Sequence, residues 1–406
     1  MRGDTWVVPG APLEGGAGWR LWCSRPGEGW AEPAVSVTRL GLQERVTTEW
    51  ALVPFNRVIG RQTAVLTVRL LDPRPGALYE VSLPGLTTPM SWRTLPAPDA
   101  DSATFLIGSC FWRNADKEGH YGAAMTDLKR LADPHFTVLM GDQLYQDWPP
   151  QLDQFSDPLK LFARRYAEYW GDPAYQQVLQ AAPNFMACDD HEFWNNYPEP
   201  QIQVPFTILP DSRRRALEAA KETYRQYQHA ANPDGRRHFS FTAAGVSFYL
   251  ADTRSERTPH DDRQRHFFVD EQRAALSDWV GSLAGPAVLV LPQPLYQKSG
   301  DFKDYALANF EADYAELCGL FGRALGGQTG DGKPHDILVL TGDIHTGRHA
   351  TGYINGSADP VHEFVASPAS LVGPAQQHHT ASVAPGKITP QPGPCLLYTS
   401  DAADEL

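Results

Sequence analysis

Four short apolar runs each end in residues that carry chemistry, and this pattern constrains the chain more than any other feature. Thr104-Phe105-Leu106-Ile107 leads into Gly108-Ser109-Cys110. Phe136-Thr137-Val138-Leu139-Met140 leads into Gly141-Asp142-Gln143-Leu144-Tyr145-Gln146-Asp147. Asn184-Phe185-Met186-Ala187-Cys188 leads into Asp189-Asp190-His191-Glu192, and Ile337-Leu338-Val339-Leu340 into Thr341-Gly342-Asp343-Ile344-His345. Short apolar runs bounded by turn residues are the mark of buried strands. Ligands of open α/β sheets bind beyond the carboxyl ends of such strands. Strand tips that deliver Asp, His, Cys and Tyr together describe a metal centre.

The segments around these runs divide the chain. Residues 1–98 read as all-β, with strands predicted over 34–40, 63–71 and 78–83 between Gly and Pro punctuation. Residues 71–81 followed by 91–96 resemble the last strands of a fibronectin-III-like sandwich. A Pro/Asp/Ala stretch over 96–103 then links to a mixed segment, 104–371, in which helices alternate with buried strands. Asp211 is placed to cap a helix carrying Leu217, Ala220, Tyr224 and Tyr227 on one face, and Asp270 another carrying Leu276, Trp279, Val280 and Leu283. Residues 237–242 and 246–250 read as a hairpin, with a strand over 287–291. The alternation argues for an α/β layered core.

Residues 372–394 lose all periodicity, and 395–406 read like the translation of a sequencing adapter. Cys395 is therefore set aside, and the natural carboxyl terminus is expected to lie elsewhere.

Composition narrows the function. A net charge of −13 lacks the basic footprint of a nucleic-acid binder. It is compatible with a phosphorylated substrate, because bound cations invert the local field. No run approaches the ~18 apolar residues of a membrane span. The start, Met1-Arg2-Gly3-Asp4-Thr5-Trp6, has no export signal, so the chain as written is expected in the cytoplasm, or in the periplasm or outside the cell if residues precede it. The five cysteines contain no C-x-x-C pair, which argues against a disulfide framework or a zinc ribbon. Cys23, Cys188 and Cys318 read as small core residues, whereas Cys110 follows a strand and a small turn. Composition gives no reading of oligomeric state.

Taken alone, a Gly-Asp pair after a strand is usually a turn. Two of them, Gly141-Asp142 and Gly342-Asp343, each closing an apolar strand, argue for more. Asp189-Asp190-His191-Glu192 is stronger, since three adjacent carboxylates repel one another unless a cation or a basic partner offsets them. Nothing basic lies nearby in sequence. Asp252-Thr253-Arg254 adds a guanidinium at another strand tip, as a phosphate fork or as an ion pair that stiffens the loop. Two further features are decoys. The glycines of residues 327–333 are spaced like a Walker loop, but Pro334 stands where Ser or Thr is required. His378-His379 lies in the aperiodic tail.

These motifs, with His362-Glu363-Phe364-Val365-Ala366-Ser367-Pro368, occur in the order that resembles PhoD-like metallophosphatases, the alkaline phosphatase D branch of the calcineurin-like metallophosphoesterases. The resemblance covers about 104–371. It implies a four-layer α/β/β/α sandwich preceded by a small fibronectin-III-like domain. It also implies Fe³⁺ and Ca²⁺ as cofactors, with another divalent pair as the alternative. Cys110, Tyr145 and a shared Asp142 would serve iron, Asp142, Asp190 and Asp343 calcium, and His345 would be a further ligand. Thiolate and phenolate suit a transition metal, and carboxylates suit Ca²⁺. Gln143 and Gln146 depart from the Tyr and the acid that relatives often carry.

The reading that follows is a phosphoesterase acting on phosphate mono- or diesters by two-metal activation of water. His191 would be general acid and Arg254 a phosphate clamp. The alternative is a catalytically silent, metal-stabilised protein that binds a partner through its N-terminal sandwich.

Overall fold

The computed structural model describes residues 5–370, without 85, 87, 117, 149–156, 298–304, 346, 355–356 and 358, and the backbone of Cys395–Ser400. It is a mixed α/β structure with several sheets. The N-terminal segment builds two antiparallel four-stranded sheets. One joins β1 (Trp6–Pro12), β2 (Gly18–Pro26), β5 (Val46–Leu52) and β6 (Arg61–Leu70) in the order β1-β2-β6-β5. The other joins β3 (Ser36–Arg39), β4 (Leu42–Gln43), β7 (Leu78–Ser82) and β8 (Met90–Arg93) in the order β4-β3-β7-β8. Trp19, Leu21, Leu66 and Val68 of the first share a core with Val37, Tyr79, Val81 and Trp92 of the second. The three expected strands are present at β3, β6 and β7. β1 and β2 are additional, and their register shifts between Pro9 and Pro12, where the Pro and Gly residues had hidden the alternation.

Within the segment expected to link the two halves, Pro96 is buried and Ala103 packs against a core with Phe136, and the preceding Leu95 joins that core.

Beyond it, β9 (Phe105–Gly108), β10 (Phe136–Met140) and β11 (Asn184–Ala187) form a parallel sheet with β10 in the middle. A larger sheet contains β12 (Phe239–Ala243), β13 (Val246–Leu250), β14 (Ala287–Val290), β15 (Ile337–Thr341), β16 (Arg348–Ile354), β17 (Pro360–Val365) and β18 (Cys395–Ser400), in the order β12-β13-β14-β15-β17-β16-β18. Every residue of β10 is buried because both of its faces are covered. Phe136, Val138 and Met140 point one way, into a core with Phe241, Phe248, Val290 and Leu340 of the larger sheet. Burying each such side chain contributes about 1.5–3 kcal/mol. Leu139 points the other way, into a core with four helices.

Those helices are α1 (His120–Ala132), α2 (Pro158–Trp170), α3 (Pro173–Leu179) and α4 (Pro210–Tyr227). α3 opens on Pro173 behind Asp172, whose carboxylate accepts the amides of Ala174 and Tyr175. On the far face of the larger sheet lie α5 (Asp270–Gly281) and α6 (Glu311–Leu325), packed on Tyr249, Leu289 and Val339. Asp211 and Asp270 do not cap their helices. Each lies in the first turn, one residue or less inside it, where a carboxylate still favours the helix dipole. Leu283, expected on the α5 face, lies just past the helix end and is nonetheless buried. The β12–β13 hairpin turns at Ala244 and Gly245, both left-handed, as a two-residue turn between twisted strands requires.

Cys23, Cys188 and Cys318 are buried as expected. Residues 327–333 form a surface turn between α6 and β15. His378-His379 lies outside the described residues. The stretch that reads as adapter supplies β18, antiparallel to β16. A sheet edge offers unpaired amides and carbonyls that any extended segment can take up.

Candidate metal centre

The carboxyl ends of β9, β10, β11 and β15 meet. The chain turns there through left-handed backbone at non-glycine residues: Cys110 (φ 57°), Asp142 (φ 54°), Asp343 (φ 69°) and His345 (φ 55°). Such conformations cost about 1–3 kcal/mol each and persist where packing over-determines them, commonly at functional sites. The two Gly-Asp pairs are explained by close approach. A Cβ on Gly141 would lie 2.5 Å from that of Asp189, and one on Gly342 2.5 Å from the Ser109 hydroxyl. Both glycines let neighbouring strand tips touch.

Three sets of donors result, each with its ligand atoms within 4.8 Å of one another: Cys110, Asp142 and His345; Asp142, Asp190 and His191; and Asp142, Asp189, Asp190 and Asp343. Asp142 belongs to all three. The first set mixes a sulfur and an imidazole with a carboxylate, and the last is all oxygen, which matches the donor preferences of a transition metal and of a hard cation respectively. One oxygen of Asp190, Oδ1, is buried without a hydrogen-bond partner among the described residues. The residues present therefore fit a pair of cations.

The crowding of acids is resolved differently for each. Glu192, fully buried, accepts the amides of Asp142 (2.9 Å), Gln143 (2.7 Å) and Asp189 (2.8 Å) and the Gln228 side chain (3.0 Å). It ties the β10 and β11 loops together. Asp189 forms a buried ion pair with Arg254, 65 residues further along the chain. The sequence left this Arg open as a phosphate fork or an ion pair, and the buried pair it makes is with Asp189. The Arg254 guanidinium has no exposed surface, and it also donates to the Tyr197 carbonyl at 2.9 Å. Nor does it pair with Asp252 through its side chain. Asp252 instead accepts the amides of Arg254 and Ser255.

Asp142 and Asp190 have no arginine or lysine partner among the described residues, and the basic group that faces them is His191. Burial, reinforced by Asp190, holds the Asp142 carboxyl well above the usual range. Burial likewise pushes up the Cys110 thiol, aided by Asp142 and opposed by hydroxyl contacts from Ser109 (3.4 Å) and Ser367 (3.0 Å). The Ser367 hydroxyl also accepts the His345 amide at 3.0 Å, so the last motif reaches the site through Ser367. Tyr145 is buried, its hydroxyl 3.1 Å from His345 Nε2 and its ring 3.9 Å from that of His191. Burial and then Asp142 raise the Tyr145 phenol, and burial lowers His345 to about 3.

His191 behaves oppositely. Burial favours its neutral form, but Asp147, Asp190 and Asp142 outweigh it and raise its pKa well above the ordinary value. Its Nδ1 lies 2.8 Å from Asp147 Oδ1, and the other Asp147 oxygen accepts the Asn195 amide at 3.1 Å. Asp147, Glu192 and Asp189 are the residues that sequence reasoning left without a role. A second acid in the loop after Asp142 was the available signal for Asp147.

Gln143 has turned inward, donating to the Gly141 carbonyl and accepting from the Tyr175 hydroxyl at 2.8 Å. It is part of the loop scaffold.

Residues 105–287 match the PhoD-like phosphatase family. This is the family that the ordered motifs resemble. The PhoD-like stretch contains Cys110, Asp142, Tyr145, Asp190, His191 and Arg254, while Asp343 and His345 lie beyond it and join the cluster through the fold. No curated protein matches the chain. A PhoD-like phosphatase domain points to a metal-dependent hydrolase of phosphate esters, and the Asp/His/Cys cluster is its candidate metal site. Among the described residues no helix is long and apolar enough to cross a membrane.

Proposed function

We propose that the chain is an alkaline phosphatase D-like phosphoesterase that hydrolyses phosphate mono- or diesters with Fe³⁺ and Ca²⁺. The observation that carries this reading is Asp142, which belongs at once to a sulfur- and nitrogen-containing donor set and to an all-carboxylate one. Cys110, Tyr145, His345 and Asp142 would hold the transition metal, and Asp142, Asp190 and Asp343 the calcium. When bound, such ions polarise phosphoryl oxygens and lower the pKa of water towards neutrality.

The chain's own residues do the rest. Asp147 fixes the orientation of His191 through Nδ1 and favours its protonated form. A protonated imidazole so fixed can deliver a proton to the leaving-group oxygen. Arg254 acts as a positioning residue, holding Asp189 and the loop at Tyr197. The architecture we propose is a four-layer α/β/β/α sandwich over about 104–371, preceded by a fibronectin-III-like unit over 1–98. The core shared by β10 and β13, with helices packed outside each sheet, supports it.

The test is metal analysis of the purified protein beside assays with a chromogenic monoester and diester. The expected result is bound iron and calcium, turnover of at least one ester, and a visible phenolate charge-transfer band that Tyr145→Phe removes. Protein free of transition metal and inert towards both esters would favour a silent binding role.

A further inference from the structure

A cavity of about 430 Å³ opens at the edge of the larger sheet, bounded by His229, Arg236, Arg237, His238, Tyr249 and Glu271. β12 runs antiparallel to β13, so the residues entering β12 lie at the carboxyl end of β13. Glu271 reaches the cavity from α5, on the outer side of the sheet. None of these residues belongs to the donor sets around Asp142.

We infer that this cavity is a second binding site, for a small organic molecule carrying a phosphate or carboxylate oxyanion. Three observations carry the inference. First, two arginines line this cavity in a protein of net charge −13. Beyond burial, His229 feels Arg237, Arg225 and Arg20 against Asp252, while Asp252 and Glu271 act on His238 ahead of Arg237 and Arg236. Second, the two guanidiniums are used differently. Arg237 is committed to the fold, donating to the Ser255 hydroxyl at 2.9 Å and pairing with Glu256. Arg236 is exposed, with a loose 3.8 Å contact to an equally exposed Asp234. Its fork is available for the bidentate grip that matches carboxylate or phosphate.

Third, the volume falls in the range of small-molecule sites and exceeds what a bare ion needs. The walls explain the surplus. His238 and Tyr249 stack nearly parallel at 17°, joined by a 3.0 Å hydrogen bond, and Phe239 and Ala275 complete an apolar side. Glu271 closes the other side, where it would accept a hydroxyl or ammonium of the ligand and repel a second anionic group.

The experiment titrates the metal-loaded protein calorimetrically with inorganic phosphate, phenylphosphonate and benzoate, none of which it can hydrolyse. The expected result is a class of sites that Arg236→Glu weakens at least tenfold while turnover of a chromogenic phosphate ester is unchanged. Within that class, phenylphosphonate should bind more tightly than inorganic phosphate, because it also covers the ring wall. The benzoate arm tells a carboxylate ligand from a phosphorylated one. Binding that Arg236→Glu leaves unaltered, or a loss of turnover together with binding, would overturn the inference by assigning the anion to the centre around Asp142.

Discussion

Two sets of buried carboxylates lie side by side at the strand tips and are treated in opposite ways. Glu192 is bound by three amides and an amide side chain, although burial still raises its pKa, and Asp189 is paired with a guanidinium. Asp142 and Asp190 are left facing each other, with Asp142 driven towards its neutral form by burial and by its neighbour. The first set is tied into the fold by donors of the chain itself. The second is where we propose that cations bind. Proximity in sequence gives no hint of this division, since Asp189, Asp190 and Glu192 lie within four residues.

The largest expected effect breaks the first set. Arg254→Ala leaves Asp189 buried without its partner, and removing one member of a buried pair costs about 3–5 kcal/mol. Denaturant unfolding should show that loss, with activity falling alongside. Unchanged stability would mean that Asp189 is held by something other than Arg254. Next comes His191→Ala, which leaves both carboxylate sets in place. Turnover should drop by roughly 10²–10⁴-fold with metal content intact, whereas a collapse in bound metal would make His191 a ligand.

Asp190→Asn sharpens the contrast from the other side. It removes a repelling charge but keeps an oxygen to accept the Asn196 amide. The metal-free protein should stay within about 1 kcal/mol of wild type, while elemental analysis shows reduced metal. Strong destabilisation of the metal-free form would place Asp190 with the satisfied set.

The smallest effect comes from His229, a half-buried titratable group outside both sets. Its folded-state pKa is about 4, lowered first by burial and then by Arg237, against an ordinary 6.5. The unfolded chain therefore takes up the proton first. Stability contributed by neutral His229 is complete above about pH 6.5 and is lost as the pH falls towards 4. His229→Gln should flatten that acid limb in denaturation curves collected at pH 7, 6 and 5. An identical slope would show that the imidazole is solvated.

What could be read from the sequence follows from the range of each interaction. The tips at Cys110, Asp142 and Asp343 were legible because an apolar strand and its first polar residues are contiguous. The β12–β13 hairpin was legible for the same reason. The partner of Arg254 was not legible because it lies 65 positions away, and an arginine that grips phosphate looks the same in sequence as one that grips Asp189. Asp147 had no role because the loop geometry that brings it to His191, 44 residues on, is invisible to periodicity. β1 and β2 were missed because Pro and Gly interrupt their alternation while neighbouring strands still supply the pairing.

Trp22 carries a consequence for how this molecule comes apart. Its indole, on β2, donates to the Gln226 carbonyl at 2.7 Å and lies 5.0 Å from the ring of Tyr227 on α4. Val8 enters the same core, and Asn184 at the start of β11 donates to the Pro9 carbonyl at 2.7 Å. A protease that trimmed the first hundred residues would not liberate a self-sufficient enzyme. It would strip the lining from an aromatic chamber and leave Tyr166, Trp170 and Tyr227 wet. Heating should therefore dissolve both halves in a single calorimetric step, with the N-terminal sheets acting as an integral wall of the molecule.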